Sequence, residues 1–343
     1  TVIHALVMIV GIGPYSSPPP AKVSLIEQDW VMTNTTPPFK IYLHPSGQDK
    51  YISLGIRREG VWERKLHNRI MTVMGDYANV TFLDVGANIG FHTLAVSAFH
   101  NYVLAVEPVK SSADLLEKSV AANGFGDRVE VHRKAATDGR AVRGGLLCMH
   151  VSSINKGHAF VRPKTLPNPL EILPHQAALT LLLRLGRWLG AKVGVDMEGG
   201  SVEQMLGGMQ EQEVIDYHHE PHGGDRCDYV EGEALGTVLP SHSEEPLTSR
   251  SQEPLPSHSE EPLSPRSEEP LASKNRPPVL AAKLDVEGYE ATVLTGMAEW
   301  LATSPPCFLF VELFPSLQAL HSSSAEAVVA QLSEQGYSVH LPP

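Results

Sequence analysis

The sequence predicts an α/β fold, a doubly wound and mostly parallel sheet split by a long, largely disordered insertion. Three observations lead there. Short apolar runs that read as buried strands alternate with amphipathic stretches at helical spacing between residues 79 and 136. The alternation fails after residue 146 and resumes at residue 277. The stretch between carries most of the acidity of the chain and an eight-residue repeat.

The elements follow in order. "VIHALVMIVGIG" (Val2–Gly13) is apolar for 12 residues, short of the roughly 20 that a spanning helix needs. It reads as the stump of a signal peptide or a membrane anchor, or else as an ordinary buried strand or helix. The first reading places the chain in the secretory pathway or on a membrane, the second in the cytoplasm. Asn34-Thr-Thr and Asn79-Val-Thr are glycosylation sequons, the second at the mouth of a buried strand. Residues 14–38, rich in Pro, Ser and Thr, read as a linker, so 1–38 form an apolar segment and linker. Ordered structure is expected from "FKIYLHP" (Phe39–Pro45), a strand, and "GVWERKLHNRIMTVMG" (Gly60–Gly75), a helix with Trp62, Leu66, Ile70 and Val73 on one face.

"VTFLDVG" is then a strand, "FHTLAVSAF" (Phe91–Phe99) a helix, and "YVLAVEP" (Tyr102–Pro108) a second strand. "SSADLLEKSVAANG" (Ser111–Gly124) is a helix with Ser111 or Ser112 as N-cap and Gly124 as its stop. "RVEVHRKAA" (Arg128–Ala136) alternates as a third strand. Strand, helix, strand, helix, strand implies right-handed crossovers in a parallel sheet. Residues 39–146 form the first part of the domain, 147–276 the acidic insertion and 277–343 the second part. In that second part "PVLAAKLDVEG" (Pro278–Gly288) is a strand, "YEATVLTGMAEWLA" (Tyr289–Ala302) a helix and "CFLFVELFP" (Cys307–Pro315) a strand. "SAEAVVAQLSEQG" (Ser324–Gly336) is a helix and "YSVHLPP" the last strand.

Within the insertion, "HQAALTLLLRLGRWLG" (His175–Gly190) is the one helical pattern. The repeat SHSEEPLT, SRSQEPLP, SHSEEPLS, PRSEEPLA (Ser241–Ala272) has Pro at every eighth position and no aromatic residue. Such a segment buries too little apolar surface to offset an ordering entropy of about 1–2 kcal/mol per residue.

The net charge of −12 is uneven. Residues 196–272 hold 18 acids against 3 bases, while the remainder has 21 acids and 24 bases. A near-neutral body offers no electrostatic footprint for nucleic acid. Cys148, Cys227 and Cys307 are far apart and lack a CxxC, which argues against a zinc site or a disulfide framework. "DYHHEPHGGDRC" (Asp216–Cys227) matches no standard zinc spacing, so no metal is expected.

Chemistry concentrates at the strand ends. Five carboxylates are expected on one rim: Asp84, Glu107, Asp285, Glu287 and Glu312. In an open parallel sheet that rim is where ligands bind. Helix capping alone would need fewer acids. The loop after Asp84 is D-x-G-x-N-x-G, in which Gly86 and Gly90 permit tight turns and close approach. The G-x-G-x-x-G spacing of a pyrophosphate loop is absent. Glu107, 21 residues past Gly86, suits a carboxylate that grips both hydroxyls of a ribose. A ribose, an adenine and a cationic sulfonium together would suit this acidic rim, and S-adenosylmethionine has all three.

These residues resemble the FkbM-type methyltransferases, a branch of the class I S-adenosylmethionine-dependent enzymes with a Rossmann-like sheet. The resemblance rests on "GVWE", "FLDVGANIGFHTL", "VLAVEP" with its downstream "AANG", and "KLDVEGYEATVLTGM" followed by "FVEL". It spans roughly residues 39–140 and 277–341. It implies that Gly86, Ala87, Asn88 and Gly90 form the cofactor loop. Asp84 would lie near the methionine end, Glu107 on the ribose and Asp138 near the adenine. Asp285 and Glu287 would face the reacting centre, with O-methylation of a sugar or small-molecule hydroxyl as the activity. Glu287 is the first candidate for the base, Asp285 the second and His92 the third. The alternatives are a nucleotide-dependent oxidoreductase on a similar sheet and a non-catalytic interaction protein built on a methyltransferase body.

Overall fold

The computed structural model describes residues 3–8, 29–139, 146–152, 155–161, 228–237, 239 and 276–340. The helical pattern at His175–Gly190, the His-rich run Asp216–Cys227 and the repeat Ser241–Ala272 lie outside the described residues.

Strand β1 (Ile3–Met8) comes from the apolar N-terminal run. A short antiparallel ribbon follows, β2 (Trp30–Met32) with β3 (Lys40–Tyr42). Its first strand lies inside the stretch expected to be linker. Two helices come next, α1 (Ile52–Glu59) and α2 (Arg64–Gly75). The sequence reading missed α1. Its start is held by Asp49, whose Oδ1 accepts from the amides of Tyr51 and Ile52 and whose Oδ2 accepts from Ser53 at 2.7 Å. Helix α2 begins at Arg64 rather than Gly60, because Glu63 is left-handed at φ 42°.

The alternating core is as expected. It runs β4 (Thr81–Val85), α3 (Phe91–Ala98), β5 (Tyr102–Val106), α4 (Lys110–Ala122) and β6 (Val129–His132). Neither Ser111 nor Ser112 caps α4. The residue before its first turn is Val109, whose amide is taken by Glu107 Oε1 at 2.8 Å. At the far end of α4, Asn123 acts like a peptide group toward β3. It accepts from Lys40 N at 2.9 Å and donates to Lys40 O at 2.6 Å. Ser119 Oγ accepts from Tyr42 N at 2.9 Å, so α4 side chains satisfy an edge strand that pairs, among the described residues, with β2 alone.

Beyond β6 the expected single strand breaks, and β7 (Ala135–Thr137) leaves for a second sheet with β8 (Leu146–Val151), β9 (Ala159–Val161) and β10 (Asp228–Ala234), in the order β7-β10-β8-β9. Residues 147–276 are therefore not all low-complexity insertion. Its N-terminal end and Asp228–Ala234 form sheet, and Leu235–Thr237 adds a 3-10 turn. Cys148 on β8 is disulfide-bonded, against the expectation from cysteine spacing, and its partner lies outside the described residues. Cys307 is free. Where the chain returns, Arg276 donates to Glu130 on β6.

The domain closes with β11 (Val279–Leu284), α5 (Glu290–Gly296), α6 (Ala298–Thr303), β12 (Phe308–Glu312), α7 (Pro315–Leu320), α8 (Ala325–Glu334) and β13 (Tyr337–His340). The helix expected over Tyr289–Ala302 is broken at Met297. Gly296 lies against the backbone of Thr137 there, with no room for a Cβ.

All seven strands of the main sheet are parallel, in the order β13-β1-β12-β11-β4-β5-β6. Strand β1 sits between β12 and β13, so within Val2–Gly13 the residues Ile3–Met8 form a strand of the main sheet. No helix among the described residues is long and apolar enough to cross a membrane. Side chains alternate between two cores. Phe82, Ala105, Ala281 and Phe310 meet α1–α4 on one face. Leu83, Val106, Leu284 and Val311 meet α5, α6, α8 and the second sheet on the other. Burial on both faces explains why these strands read as unbroken apolar runs.

Candidate active site

The polar residues begin where the central strands end. Asp84 on β4 and Lys283 on β11 are register partners, both buried. They project from the face lined by Phe82 and Phe310. Thr93 on α3 donates to Asp84 Oδ2 at 2.6 Å. Asp84 Oδ1 is buried with no hydrogen-bond partner among the described residues.

The loop Gly86–Gly90 turns through three left-handed residues, Gly86 at φ 80°, Asn88 at φ 53° and Gly90 at φ 87°. Gly86 packs against the backbone carbonyl of Asp285, so the loops after β4 and β11 touch. An added methyl would have no room, and the positive φ adds strain. Gly86→Ala is therefore expected to destabilise the fold by at least about 2 kcal/mol. Gly75→Ala, at a helical position with nothing within 4 Å of the new methyl, is expected to be neutral or mildly stabilising. Urea denaturation of the two variants side by side checks this. Equal stability would show that the loops are not in contact.

Glu107, at the end of β5, ties this loop down. Its Oε2 accepts from Asn88 N at 2.8 Å while Oε1 holds Val109 N. Burial pushes its carboxyl up to about 7, against the pull of those two amides, and the charges of Asp84 and Asp285 push the same way. The sequence-predicted pair, glycine loop and strand-end acid, is brought together by a direct hydrogen bond.

Asp285 and Glu287 part company. Asp285 Oδ2 accepts from Lys283 Nζ at 2.8 Å. Burial raises the Asp285 carboxyl, Lys283 opposes this, and Glu287 and Glu63 add to the rise. Lys283 is fully enclosed. Burial works against its charge, but Asp285, Asp84, Glu63 and Glu312 outweigh that and hold the ammonium firmly protonated. Glu312 is raised well above the usual carboxylate range by burial and by the charges of Asp285 and Glu63. One ammonium thus faces four carboxyl groups, and their mutual repulsion and burial push Asp285 and Glu312 toward the neutral form, which a further cation beside them would reverse.

His92, the third candidate, is buried at the start of α3 with Nε2 3.0 Å from Glu63 Oε2. Burial favours the neutral Glu63 carboxyl, but the bond and charge of His92, aided by Lys283, win and lower it. Glu287 is left-handed at φ 52°, and its Oε2 lies 3.5 Å from His158 Nε2. Asp138 follows β7, away from the glycine loop in sequence, and its charge reaches the Tyr289 phenol.

Sequence reasoning missed four participants. Glu63 is the last residue of "GVWE", quoted without a role. Lys283 lies two residues before Asp285, a spacing that places both on one side of a strand. Glu290 accepts from the amides of Val286 and Gly288 and pairs with Gln318, so it holds the turn that presents Glu287. His158 follows a turn, Asn155–Gly157, in what reads as insertion, and no spacing in the sequence marks it.

No family model matches the chain, and no curated protein sequence matches it. Solved structures overlap it in part. A precorrin 8w decarboxylase from Methanobacterium thermoautotrophicum is 22% identical over 22% of this chain and 41% of its own, with a TM-score of 0.21. The structure of aTrm5 in complex with tRNALeu is 13% identical over 32% of this chain and 29% of its own, with a TM-score of 0.24. A SAM-dependent methyltransferase from Agrobacterium tumefaciens is 13% identical over 36% of this chain and 38% of its own, with a TM-score of 0.26. The chain spans less than half the length of each of these proteins.

Proposed function

We propose that the chain is an S-adenosylmethionine-dependent methyltransferase of the FkbM type that methylates a hydroxyl of a sugar or small molecule. The observation that carries this reading is the Glu107 carboxylate, bonded to the amide of Asn88 in a loop that carries no pyrophosphate spacing. Both Glu107 oxygens keep a lone pair for the hydroxyls of a ribose. The buried Asp84 Oδ1, without a partner among the described residues, suits an amino-acid ammonium. The surplus of carboxylates over Lys283 suits a sulfonium. The residues present therefore fit S-adenosylmethionine, with Gly86, Ala87, Asn88 and Gly90 against it and Asp138 toward the adenine.

When bound, that cofactor supplies a methyl group on a cationic sulfur. The residues of the chain must hold the acceptor oxygen in line and dispose of its proton. Asp285 is engaged with Lys283, so its role is to keep the ammonium in place. Glu287 is free of Lys283 and one-fifth exposed, which leaves it the better placed carboxylate.

Calorimetric titration of S-adenosylmethionine, S-adenosylhomocysteine and NADH into the purified protein tests the reading. Micromolar binding of the first two and none of NADH is expected. A well-folded protein that binds neither adenosyl ligand would sink it, and NADH binding would favour the oxidoreductase alternative.

A further inference from the structure

The second sheet contributes a turn to the crevice. Residues Asn155–Gly157 are pinned from three sides. Asn88 Nδ2 of the glycine loop donates to Gly157 O at 2.7 Å. Lys156 N donates to Gln48 O at 2.7 Å, next to the residue that caps α1. Asn155 N donates to Ser152 Oγ at 3.1 Å on the same sheet. Gly157 fits closely against the side chains of Asp49 and Ile52, which would have to give way by a few tenths of an ångström for a larger residue. The next residue, His158, is set between the two loops that frame the crevice: one residue from the contact with Asn88, and 3.5 Å by its Nε2 from Glu287 Oε2. Its ring leans on the buried Phe160 with centroids 5.8 Å apart, and a third of the side chain remains exposed. Glu287 reaches this position through a left-handed backbone that costs a non-glycine residue about 1–2 kcal/mol. The Glu290 carboxylate offsets that cost by holding the amides of Val286 and Gly288.

We propose that His158 and Glu287 form an acid–base pair on the acceptor side of the crevice, in which the imidazole takes the proton of the acceptor hydroxyl and Glu287 steadies the resulting imidazolium. This deepens the methyltransferase reading and rests on it. In the step, the O–H bond breaks and an N–H bond forms on the imidazole. The electron pair stays on the acceptor oxygen, which would bond to the methyl carbon as the methyl–sulfur bond breaks and its electron pair passes to the sulfur, leaving S-adenosylhomocysteine. The imidazolium later returns its proton to water. An imidazole titrates near neutrality and is better matched to this task than a carboxylate alone. The charged groups around the turn are Glu287 from the β11–α5 connection, Lys156 on the turn itself and Asp49 behind Gly157. The charge of Glu287 is felt in turn by Asp285 and Glu312.

The test needs no acceptor. The protein, labelled with 13C in its histidines, is titrated with acid and base by NMR in three forms: free, with S-adenosylhomocysteine and with S-adenosylmethionine. His158→Gln identifies the signal among 16 histidines. The two ligands differ by a methyl group and one positive charge. A histidine facing the methyl is expected to titrate lower in the S-adenosylmethionine complex than in the S-adenosylhomocysteine complex, by roughly one pH unit. In Glu287→Gln the free protein is expected to show His158 titrating lower than in wild type. Identical titration in the two complexes, or no response to Glu287→Gln, would overturn the pair while leaving the cofactor site standing. Failure of both ligands to bind would overturn the methyltransferase reading beneath it.

Discussion

Lys283→Met is expected to lose about 3–5 kcal/mol of stability near neutral pH, the cost of leaving buried carboxylates without their cation. For a domain of this size that is a fall of about 10 °C in Tm. Met matches the length of Lys, so the loss reports charge rather than a cavity. The pH dependence separates the two further. An ammonium whose folded value is raised stabilises the fold at every pH below its ordinary 10.5, so its contribution is intact at neutrality. Asp285 and Glu312 are also raised in the folded state, and such acids favour folding most when protonated. Without Lys283 they rise further. The deficit of the variant is therefore smallest in acid and grows as pH climbs through the carboxylate range to neutrality. Calorimetry of wild type and variant at pH 5.5 and pH 8 measures it. Equal stability at pH 8 would mean that water already screens the cluster.

On the proposed function, Glu107→Gln is expected to weaken S-adenosylhomocysteine binding by about 100-fold or more, since a Gln amide accepts through one oxygen only and turns its NH2 donors toward either the Asn88 or the Val109 amide. The dependence of binding on pH is the sharper expectation. Burial sets the Glu107 carboxyl at about 7, and only its ionised form accepts from two ribose hydroxyls as well as two amides. Ligand binding should then release a proton, and wild-type affinity should fall as pH drops below about 7. The same raised value gives the free protein a stability term that is complete below the ordinary 4.5 and fades as pH rises through about 7. Ligand affinity and free-protein stability thus move in opposite directions across that window. Calorimetric titration between pH 6 and pH 8 in buffers of different ionisation enthalpy reads the proton directly. A pH-independent affinity in wild type would remove Glu107 from the ribose site.

The frame of this site is legible in the sequence because it lies where periodicity is strongest. Strands β4, β5, β11 and β12 are buried on both faces, so their apolar runs are unmistakable, and each ends in an acid. Parallel neighbours bring those acids to one rim without further information, as the Asp84–Lys283 register shows. The contribution of the second sheet is not legible. Its strands carry Gly and His and pair over long separations, with Cys148 opposite Tyr229. Nothing local distinguishes such residues from a loop, and so His158 has no signature. The mistaken Ser caps fail for a related reason. A Ser before a helix is a local signal, and it lost to Glu107, which reaches Val109 from the end of the strand and serves the glycine loop with its other oxygen.

The position of β1 bears on time as well as on shape. During synthesis it emerges well before both of its neighbours, β12 and β13, which are made about 300 residues later. Five central strands, from β12 across to β6, can pair without it, but β13 meets the sheet only through it. Closing so long a loop costs little at equilibrium, because the penalty grows with the logarithm of length. In rate it costs much more, since pairings distant in sequence form slowly. The docking of β1 and β13 is therefore expected to come last in assembly. Until it happens, the open side of β12 is an unpaired apolar edge, the point at which the nascent domain is most exposed to association with other chains.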